Sequence, residues 1–485
     1  MKKTKETKIK KSNFQIRIVM WFFIILFGAM SYYIVDYSIS NKQELIGNSY
    51  NGRAKILAAQ NIRGTIYSRN GDVLVSSSVN EEGNEVRHYE YGPLFAHAVG
   101  YANNGRMGIE EQANYYLINS NAPVSVKAKN DAEGKKYPGD SVYSTLDLKL
   151  QKVAYDAMGM YKGAIIVTEP STGKILAMVS KPDFDPAEVQ YKWDELINDK
   201  ESSVLLNRVT QGKYPPGSTF KVITALEYIR EHSEDIKSFK FNCKGSVTKG
   251  DDTIRCYHGT VHGELNFNKA FAKSCNSAFA TIGLELDRNK FGETLNSLLF
   301  NNVLPTSLTT SSSKLIVTDS TPDKDMIQIA IGQGLANITP IQLNMITCAI
   351  ANNGVLMEPY MIDRVENSSG TVIKQFKPNE YGSLMTQGES EVLKILMEDV
   401  VFEGTATKLK GTSYYSGGKT GSAEFGESGT GESHAWFTGY AGMNNGESKE
   451  GEVPDICITV IIEEAGTGGD YAVPIAKRVF DAYYQ

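Results

Sequence analysis

An uncharged run of eighteen residues, Ile18–Val35, lies close to the N-terminus and decides where the rest of the chain can fold. A run of this length can cross the hydrocarbon core of a bilayer as one helix. Six lysines and one glutamate precede Arg17, and this basic flank predicts a cytoplasmic N-terminus with the remainder of the chain outside. A cleaved signal peptide is the alternative, but the run is long and aromatic, and no Ala-x-Ala site follows it directly. We expect a cytoplasmic tail at 1–17 and an uncleaved single-pass anchor at 18–36.

The chain beyond the anchor is long enough for two or three folded units. It has 485 residues, of which 41% are hydrophobic, so it can bury a sizeable core. The net charge of −6 argues against a nucleic-acid-binding surface. Residues 37–143 are polar and rich in Asn and Gly, with short strand-like pieces between turns. A helical pattern then opens a larger region, 144–485.

Hydrophobic periodicity predicts an α+β fold for this larger region. Gly163–Val167 and Ile175–Val179 flank a Pro-Ser-Thr-Gly turn and form an expected β-hairpin. Between this hairpin and the C-terminal strands the pattern is mostly helical, including a helix that begins at Thr339-Pro340. We therefore expect a helical lobe inserted between the strands of one antiparallel sheet. The remaining expected elements are strands around 419–424, 435–442 and 456–462 and a final helix at 473–484.

Three motifs in a fixed order indicate a serine acyl-transfer site. They are Pro215–Lys221 (Pro-Pro-Gly-Ser-Thr-Phe-Lys), Ser274-Cys275-Asn276 and Lys419-Thr420-Gly421. Ser-x-x-Lys occurs five times in the chain and Ser-x-Asn four times, whereas Lys-Thr-Gly occurs once. Alone, each motif would be an ordinary N-cap serine, turn asparagine or strand lysine. The three together, in this order, favour a catalytic site.

Each motif has a chemical role in this hypothesis. Ser218 opens a helix, whose positive N-terminal end favours an oxyanion beside it. Lys221 lies one turn further on the same face and is the natural acceptor of the Ser218 proton. It can act as a base only when neutral, and burial, the helix terminus and a second cation at Lys419 would all lower its pKa.

The other two motifs would bind substrate and move a proton. Ser274 could relay the proton to the leaving group, and Asn276 could hold a substrate amide. Lys419 and the Thr420 hydroxyl suit a terminal carboxylate. Gly421 would let a substrate backbone lie flat against the strand. The backbone N–H groups of Ser218 and Ser422 would form the oxyanion hole.

The chain resembles the class B (monofunctional) penicillin-binding proteins, the D,D-transpeptidases that cross-link peptidoglycan. The resemblance covers nearly the whole chain after the anchor. Segments that resemble landmarks of the family's N-terminal pedestal are Arg63–Gly71 and Gly108–Glu110. Segments that resemble landmarks of its transpeptidase domain are Ser144–Asp147, Ile331–Gly334, Thr339-Pro340 and His434–Phe437. Two positions depart from the family pattern, since Ser68 stands where Asp is usual and Ser422 where Thr is usual.

The resemblance implies a penicillin-binding/serine-transferase fold, with a five-stranded antiparallel sheet and a helical lobe at 144–485. An elongated, β-rich pedestal at 37–143 would precede it. By resemblance, Ser218 is the acylated nucleophile, and Lys221, Ser274, Asn276, Lys419 and Thr420 line the cleft. The implied ligands are D-Ala-D-Ala stem peptides and β-lactams, the implied membrane partner is a SEDS-family glycan polymerase, and the chemistry requires no cofactor.

Two other classes of protein share these motifs. A β-lactamase or D,D-carboxypeptidase would hydrolyse the acyl-enzyme, and an idle scaffold or β-lactam sensor would not turn over. The pedestal-like segment favours the transpeptidase, since a compact β-lactamase has no use for it. The intact Ser218, Lys221 and Lys419 set argues against an idle scaffold.

A Cys/His cluster precedes the Ser274 motif. Two thiols and two imidazoles within twenty residues could bind a structural zinc ion tetrahedrally, although the spacing matches no named zinc motif closely. The location outside the membrane favours a Cys243–Cys256 disulfide instead. A third interpretation is that neither the zinc site nor the disulfide forms and that the histidines are ordinary loop residues. Cys275 is interpreted as a packed side chain, and His434 as structural. The candidate zinc ligands are Cys243, Cys256, His258 and His262.

Overall fold

A long N-terminal helix, α1 (Lys2–Ser40), contains the expected anchor. The structure is a computed structural model and describes residues 2–40, 52–199, 201–234, 236–424, 433–443, 448–449 and 451–485. Residues 41–51, at the start of the expected pedestal, lie outside these ranges. The apolar part of α1 spans Phe14–Tyr37, and none of it is buried against the residues that the structure describes. Within the described ranges it is the one helix long and apolar enough to cross a membrane, which is consistent with a single-pass anchor.

The other secondary-structure elements are numbered here in chain order. The helices are α2 (Gly52–Gln60), α3 (Ala96–Val99), α4 (Gly108–Gln112), α5 (Asn114–Ile118), α6 (Val124–Ala132), α7 (Leu148–Met158), α8 (Val189–Asn198), α9 (Lys221–Glu231), α10 (Phe267–Ala272), α11 (Asn276–Glu285), α12 (Arg288–Ser297), α13 (Asp323–Ile329), α14 (Pro340–Ala351), α15 (Gln387–Phe402) and α16 (Val473–Tyr484). The strands are β1 (Asn61–Ile62), β2 (Ile66–Tyr67), β3 (Val73–Val79), β4 (Glu85–Tyr89), β5 (Tyr137–Pro138), β6 (Ser141–Ser144), β7 (Gly163–Thr168), β8 (Ile175–Lys181), β9 (Phe241–Cys243), β10 (Ser246–Lys249), β11 (Asp252–Arg255), β12 (Gly263–Leu265), β13 (Val355–Met357), β14 (Ile362–Glu366), β15 (Val372–Gln375), β16 (Glu380–Ser383), β17 (Tyr415–Glu424), β18 (Ser433–Gly442) and β19 (Ile456–Ile462). Short 3-10 turns lie at Gly92–Phe95, Gly217–Phe220, Ile236–Ser238, Tyr257–Gly259 and Thr407–Leu409, and a π-helical turn lies at Gly468–Ala472.

A five-stranded sheet with the order β17-β18-β19-β7-β8 forms the centre of the larger unit. All of its neighbouring strands are antiparallel. Every residue of β7, β18 and β19 is buried because helices cover the sheet on both faces. The expected hairpin, the three late strands and the final helix are all present, so the predicted α+β fold is confirmed.

The helical lobe is inserted between β8 and β17, as predicted, and α14 joins it to the sheet. Thr339 caps this helix through its side chain, which accepts from the Gln342 N–H, and Pro340 occupies the first turn. The Thr347 hydroxyl on α14 lies 2.6 Å from that of Thr438 on β18. Thr438 in turn lies 2.7 Å from the Thr459 hydroxyl on β19. A chain of satisfied buried hydroxyls therefore fixes the register of α14 on the sheet.

A second sheet carries the N-terminal unit and has the order β15-β14-β6-β2-β3-β4. Two of its six strands, β14 and β15, come from far along the chain, after the helical lobe has begun. Short helices α3–α6 lie in the same stretch of the chain, and α5 packs against β6, so this unit mixes strands with helices. The sequence patterns did not predict that β14 and β15 would join this sheet.

The N-terminal unit also contains a buried charged cluster around Glu110. Its carboxylate accepts from Arg63 Nε at 2.6 Å and from Arg87 Nε at 2.8 Å, and Glu110 is completely buried. Arg63 also donates to the Asn114 side chain at 2.7 Å. Burial raises the pKa of Glu110, but the two guanidinium groups outweigh it and leave the pKa below its usual value. This cluster ties the segment between β1 and β2, which carries Arg63, and strand β4, which carries Arg87, to α4 and α5.

Candidate active site

Ser218 lies in the 3-10 turn Gly217–Phe220, which leads directly into α9. This turn is wedged between β17 and the Gly332 loop. Gly217 has a φ of +53°, and a Cβ there would lie 2.7 Å from the Ser422 carbonyl oxygen. A Cβ at Gly332 would lie 2.0 Å from the Gly217 carbonyl oxygen, and the Gly217 N–H donates to the Gly332 carbonyl at 2.9 Å. Glycine is required at both positions for the backbone to approach so closely.

Trp436 in β18 fixes the start of the same turn. Its indole N–H donates to the Pro215 carbonyl at 3.0 Å, and its ring is completely buried. Tyr214 packs edge-on against Trp436 and His434 and donates to Glu463 at 2.7 Å. Burial lowers the pKa of His434, and its Nδ1 accepts from the Glu464 N–H at 3.2 Å. These contacts give His434 the structural setting that its sequence context predicts.

Lys221 projects from the first turn of α9 toward the second motif. It is completely buried, and its Nζ donates to the Ser274 carbonyl at 2.7 Å and to Asn276 Oδ1 at 2.6 Å. The same Nζ lies 3.2 Å from Ser274 Oγ. Burial lowers the pKa of Lys221 to about 7. No hydrogen bond within the described residues joins Lys221 to Ser218, whose side chain is partly exposed.

Ser274 adopts a strained backbone conformation that aims its hydroxyl into the site. Its φ is +54°, in the left-handed region that non-glycine residues rarely occupy. The next residue, Cys275, caps α11 with its side chain and is completely buried. The Asn276 amide donates to the Arg255 carbonyl at 2.9 Å, so Asn276 links Lys221 to the β10–β11 hairpin. The tight loop explains how residues 274 and 276 both face Lys221.

Lys419 reaches the same point from β17. Its Nζ donates to Ser274 Oγ at 2.9 Å and to the Thr420 carbonyl at 3.0 Å, and the residue is completely buried. Burial, together with the nearby positive charge of Lys221, lowers the pKa of Lys419 well below its usual value. The three motifs therefore meet at one hydroxyl, that of Ser274.

The third motif lies on a sheet edge, because among the described strands β17 has a neighbour on one side only. A Cβ at Gly421 would lie 2.9 Å from the Pro216 carbonyl oxygen, so this glycine lets the Ser218 turn pack against the strand. The Ser422 carbonyl faces Gly217, and in a strand the N–H of a residue points to the same side as its carbonyl. The Ser422 N–H thus points from the strand edge toward the Ser218 turn. The Thr420 hydroxyl pairs with that of Thr405 at 2.5 Å.

The Cys/His cluster forms beside the Ser274 motif but with a different membership from that expected. The ligand atoms of Cys243, Cys256, His262 and Cys275 all lie within 4.8 Å of one another. The prediction that His258 is a ligand is wrong for this cluster. His258 lies exposed in the Tyr257–Gly259 turn, with its ring against Tyr257. Cys275, which the sequence suggested was a packed side chain, takes its place. All of these cysteines are free thiols here, so the alternative Cys243–Cys256 disulfide is not formed in this structure.

Two residues at the site could not be identified from any motif in the sequence. Cys275 lies nineteen residues after Cys256 in the chain, and only the fold brings their sulfurs to 3.7 Å. Thr405 lies in a loop after α15, fifteen residues before Thr420, and no motif marks it. The glycine at 332 and the tryptophan at 436 were identified only as landmarks of the resemblance.

Comparison with known proteins decides the family. Residues 163–481 match the model of the penicillin binding protein transpeptidase domain, and residues 63–142 match that of the penicillin binding protein A dimerisation domain. The first match covers more than half of the chain.

The chain belongs to the penicillin-binding protein transpeptidase family. The resemblance read from the motifs is thereby confirmed.

Relatives of known name and solved structure agree with this assignment. The chain is 28% identical to the peptidoglycan D,D-transpeptidase PbpA of Mycolicibacterium smegmatis, over 85% of this chain and 87% of the relative. It is 27% identical to the peptidoglycan D,D-transpeptidase MrdA of Acinetobacter baumannii, over 81% of this chain and 65% of the relative. Among solved structures, the penicillin G acyl-enzyme of penicillin-binding protein A from M. tuberculosis superposes with a TM-score of 0.76 at 25% identity, over 88% of this chain and 100% of that chain. The D,D-transpeptidase domain from Eggerthella lenta gives a TM-score of 0.74 at 27% identity, over 87% of this chain and 98% of that chain.

Proposed function

We propose that this protein is a membrane-anchored serine D,D-transpeptidase that cross-links peptidoglycan stem peptides through an acyl-enzyme on Ser218. The observation that carries the proposal is the state of Lys221, a completely buried amine whose pKa burial lowers to about 7. A lysine kept partly neutral beside a serine on a helix N-terminus is the arrangement that general-base activation of a hydroxyl requires. The names of the relatives, peptidoglycan D,D-transpeptidases, support the substrate class.

The hydrogen bonds of Lys221 explain how it would accept a proton. A neutral amine has two N–H donors and one lone pair, and the Ser274 carbonyl and Asn276 Oδ1 satisfy the two donors. The lone pair is left for the proton of Ser218. A small shift of the partly exposed Ser218 side chain on substrate binding would complete that contact, since catalytic hydrogen bonds often tighten only in the bound complex.

The remaining groups give a balanced acyl transfer. Ser218 Oγ attacks the carbonyl of the penultimate D-Ala and passes its proton to Lys221, while the Ser218 and Ser422 N–H groups stabilise the oxyanion. The peptide bond then breaks, and Ser274, between the two lysines, returns the proton to the leaving D-Ala amine. The amine of a second stem peptide then attacks the acyl carbon, the acyl–Ser218 Oγ bond breaks as the new amide forms, and Lys221 takes the proton of the attacking amine and returns it to Ser218 Oγ. Lys419 and Thr420 would hold the terminal carboxylate of the donor.

The test uses the full-length protein in detergent with a donor pentapeptide ending in D-Ala-D-Ala and an acceptor carrying a free amine. The proposal predicts release of D-Ala together with a cross-linked product, and loss of both in Ser218→Ala. Release of D-Ala without cross-linked product would favour the carboxypeptidase alternative. An adduct with penicillin G that is hydrolysed within seconds would favour the β-lactamase.

The anchor supports a membrane location and partner. The lysine-rich tail before α1 favours a cytoplasmic N-terminus and an extracytoplasmic catalytic unit. None of the apolar span Phe14–Tyr37 is buried against the part of the protein that the structure describes, so it offers surface to lipid or to another membrane protein, and a SEDS-family glycan polymerase is the proposed partner. Site-specific photo-crosslinking from Trp21 and Phe27 tests this. A crosslink to a polytopic polymerase supports the partner, and crosslinks to lipid alone contradict it.

A structural zinc ion is proposed for the cluster of Cys243, Cys256, His262 and Cys275. The Cys243–Cys256 and Cys256–Cys275 sulfur separations are both 3.7 Å, and the Cys243 sulfur lies 3.4 Å from His262 Nδ1. Zinc–sulfur bonds of about 2.3 Å in a tetrahedron place neighbouring sulfurs about 3.8 Å apart. Three thiolates and one imidazole are a common ligand set for structural zinc. The ion would brace the loop that carries Ser274.

His258 and His262 offer a matched pair for the test. Metal analysis of protein purified under reducing conditions without chelator should find about one zinc per chain. His262→Ala and Cys275→Ser should lower this content sharply, whereas His258→Ala should keep it. Absence of zinc together with a Cys243–Cys256 disulfide in thiol mapping would favour the alternative pairing.

A further inference from the structure

A short segment after α15, Glu403–Ala406, lies between the turn that precedes Ser274 and the strand that carries Lys419-Thr420-Gly421. On one side, Lys273 Nζ donates to the Glu403 carbonyl. A Cβ at Gly404 would lie 2.3 Å from the Ala272 carbonyl oxygen, so the segment packs tightly on the turn that precedes Ser274. The position of this segment therefore depends on the Ser274 loop.

On the other side, the same segment contacts the Lys-Thr-Gly strand through Thr405. The Thr405 and Thr420 hydroxyl oxygens are 2.5 Å apart, which is a short hydrogen bond. Thr405 is exposed whereas Thr420 is 5% exposed, so the pair runs from the surface into the site. The backbone of Gly469 approaches from the π-helical turn, where a Cβ would lie 2.8 Å from the Thr405 carbonyl oxygen. Thr405 is thus held in place from both directions.

The direction of this hydrogen bond decides what Thr420 can do. A hydroxyl has one proton and two acceptor sites. If Thr420 donates to Thr405, it has no proton left for a ligand. If Thr405 donates to Thr420, the Thr420 proton is free, and its donation is strengthened because linked hydroxyls polarise one another. A bound carboxylate offers acceptors only, so it favours the second arrangement.

We propose that Thr405 is a positioning residue for carboxylate recognition, whose hydroxyl donates to Thr420 and turns the Thr420 proton toward a carboxylate held at Lys419. This inference rests on the proposed function, and it adds to the three motifs a residue that none of them contains. It concerns the part of the donor that carries the terminal carboxylate. Thr405 thus affects acylation through binding of the donor carboxylate, and the bond-forming step at Ser218 needs no contribution from it.

The experiment compares two acyl donors on the full-length protein in detergent. One is an acyl-D-alanyl thioester whose leaving group ends in a carboxylate, and the other carries a primary amide there. Thr405→Val should lower the second-order acylation rate with the carboxylate donor by about tenfold, as expected for one hydrogen bond to a charged group, and leave the amide donor unchanged. Thr405→Ser should keep the wild-type rate. Thr407→Val, an exposed threonine two residues on, is the matched control.

Coupling between the two hydroxyls gives a second readout. Because Thr405 acts through Thr420, Thr405→Val should have no further effect in a Thr420→Val background. A wild-type rate in Thr405→Val, or an equal loss with both donors, would overturn the inference. Thr405→Ala also removes the hydroxyl, and its thermal midpoint, compared with that of the wild type, shows whether the loss of rate comes from a folding defect. Failure of the wild type to acylate with either donor would overturn the proposed function as well, whereas wild-type acylation with an unaffected Thr405→Val overturns this inference alone.

Discussion

Lys221 and Lys419 are both completely buried, and their amino groups converge on one hydroxyl, Ser274 Oγ, at 3.2 and 2.9 Å. Two ammonium groups sharing one buried acceptor would repel each other without water to screen them. Burial lowers the pKa of each lysine, and the charge of Lys221 lowers that of Lys419 further. The site therefore favours a state in which at least one of the two amines is neutral. This relationship underlies the proposed base chemistry.

The acylation rate should fall as the pH drops through about 7. Lys221 accepts a proton only when neutral, and burial lowers its pKa to about 7, so below that pH it is protonated and inactive as a base. Well below this pKa, the rate with penicillin G should decrease about tenfold per pH unit. Stopped-flow acylation of the full-length protein between pH 5 and 9 measures the profile. A flat rate across this range would exclude Lys221 as the base.

Ser274 substitutions should separate backbone strain from hydroxyl chemistry. Both Ser274→Ala and Ser274→Gly remove the hydroxyl between the lysines, so both should acylate about 100-fold more slowly. Only glycine relieves the left-handed backbone at φ +54°, so Ser274→Gly should be more stable than Ser274→Ala by about 1 kcal/mol. Denaturant unfolding and acylation kinetics measure the two effects. Equal stability of the two variants would contradict the interpretation that the backbone at Ser274 is strained.

Glu110→Gln should destabilise the N-terminal unit strongly. The change leaves the buried Arg63 and Arg87 guanidinium groups without their shared counter-charge, at a cost of about 3 kcal/mol. The neighbouring exposed Glu111 provides the matched control, and Glu111→Gln should stay close to the wild type. The difference is measured by denaturing the protein chemically and using limited proteolysis to follow the unfolding of residues 52–143. Equal stability of the two variants would show that the cluster contributes little.

Glu227 on α9 should make stability depend on pH in a defined direction. It is 2% exposed, and burial raises its pKa from 4.5 to about 7, with a hydrogen bond from Thr294 opposing the shift and Glu231 adding to it. Between pH 4.5 and 7 the folded state keeps a proton that the unfolded state releases, so this contribution to stability is lost as the pH rises. The thermal midpoint of Glu227→Gln, minus that of the wild type, should therefore increase as the pH is raised from 5 to 8. The exposed Glu234→Gln should show no such trend, and a parallel pH course for all three proteins would refute the prediction.

The sequence was sufficient for the central sheet and the site motifs. Hydrophobic runs such as Gly163–Val167 are buried on both faces of the sheet, so their strand character was visible without any partner. The helix after Thr339-Pro340 begins where its capping residues predict. The spacing of Ser218 and Lys221 depends on one helical turn, which is a local property. These features could be predicted because each depends on neighbours in the chain.

Features that depend on distant contacts were not predicted. Strands β14 and β15 join the N-terminal sheet from more than 200 residues away, and β15 is exposed along its length, so it has no hydrophobic alternation to reveal it. His258 was grouped with the cysteines because it is close in the chain, but it lies exposed in a turn with a φ of +50°, and the cluster forms from Cys243, Cys256, His262 and Cys275 instead. Thr405 meets Thr420 only through tertiary packing. Side-chain partners set by the fold leave no pattern in the sequence.

The most direct test of the central claim is the intact mass of the full-length protein over time with penicillin G, beside Ser218→Ala. The account predicts one penicilloyl adduct per chain that persists for hours, maps to the peptide containing Ser218, and is absent from the variant. No adduct on the wild type, or an equal adduct on Ser218→Ala, would contradict the assignment of Ser218 as the acylated nucleophile.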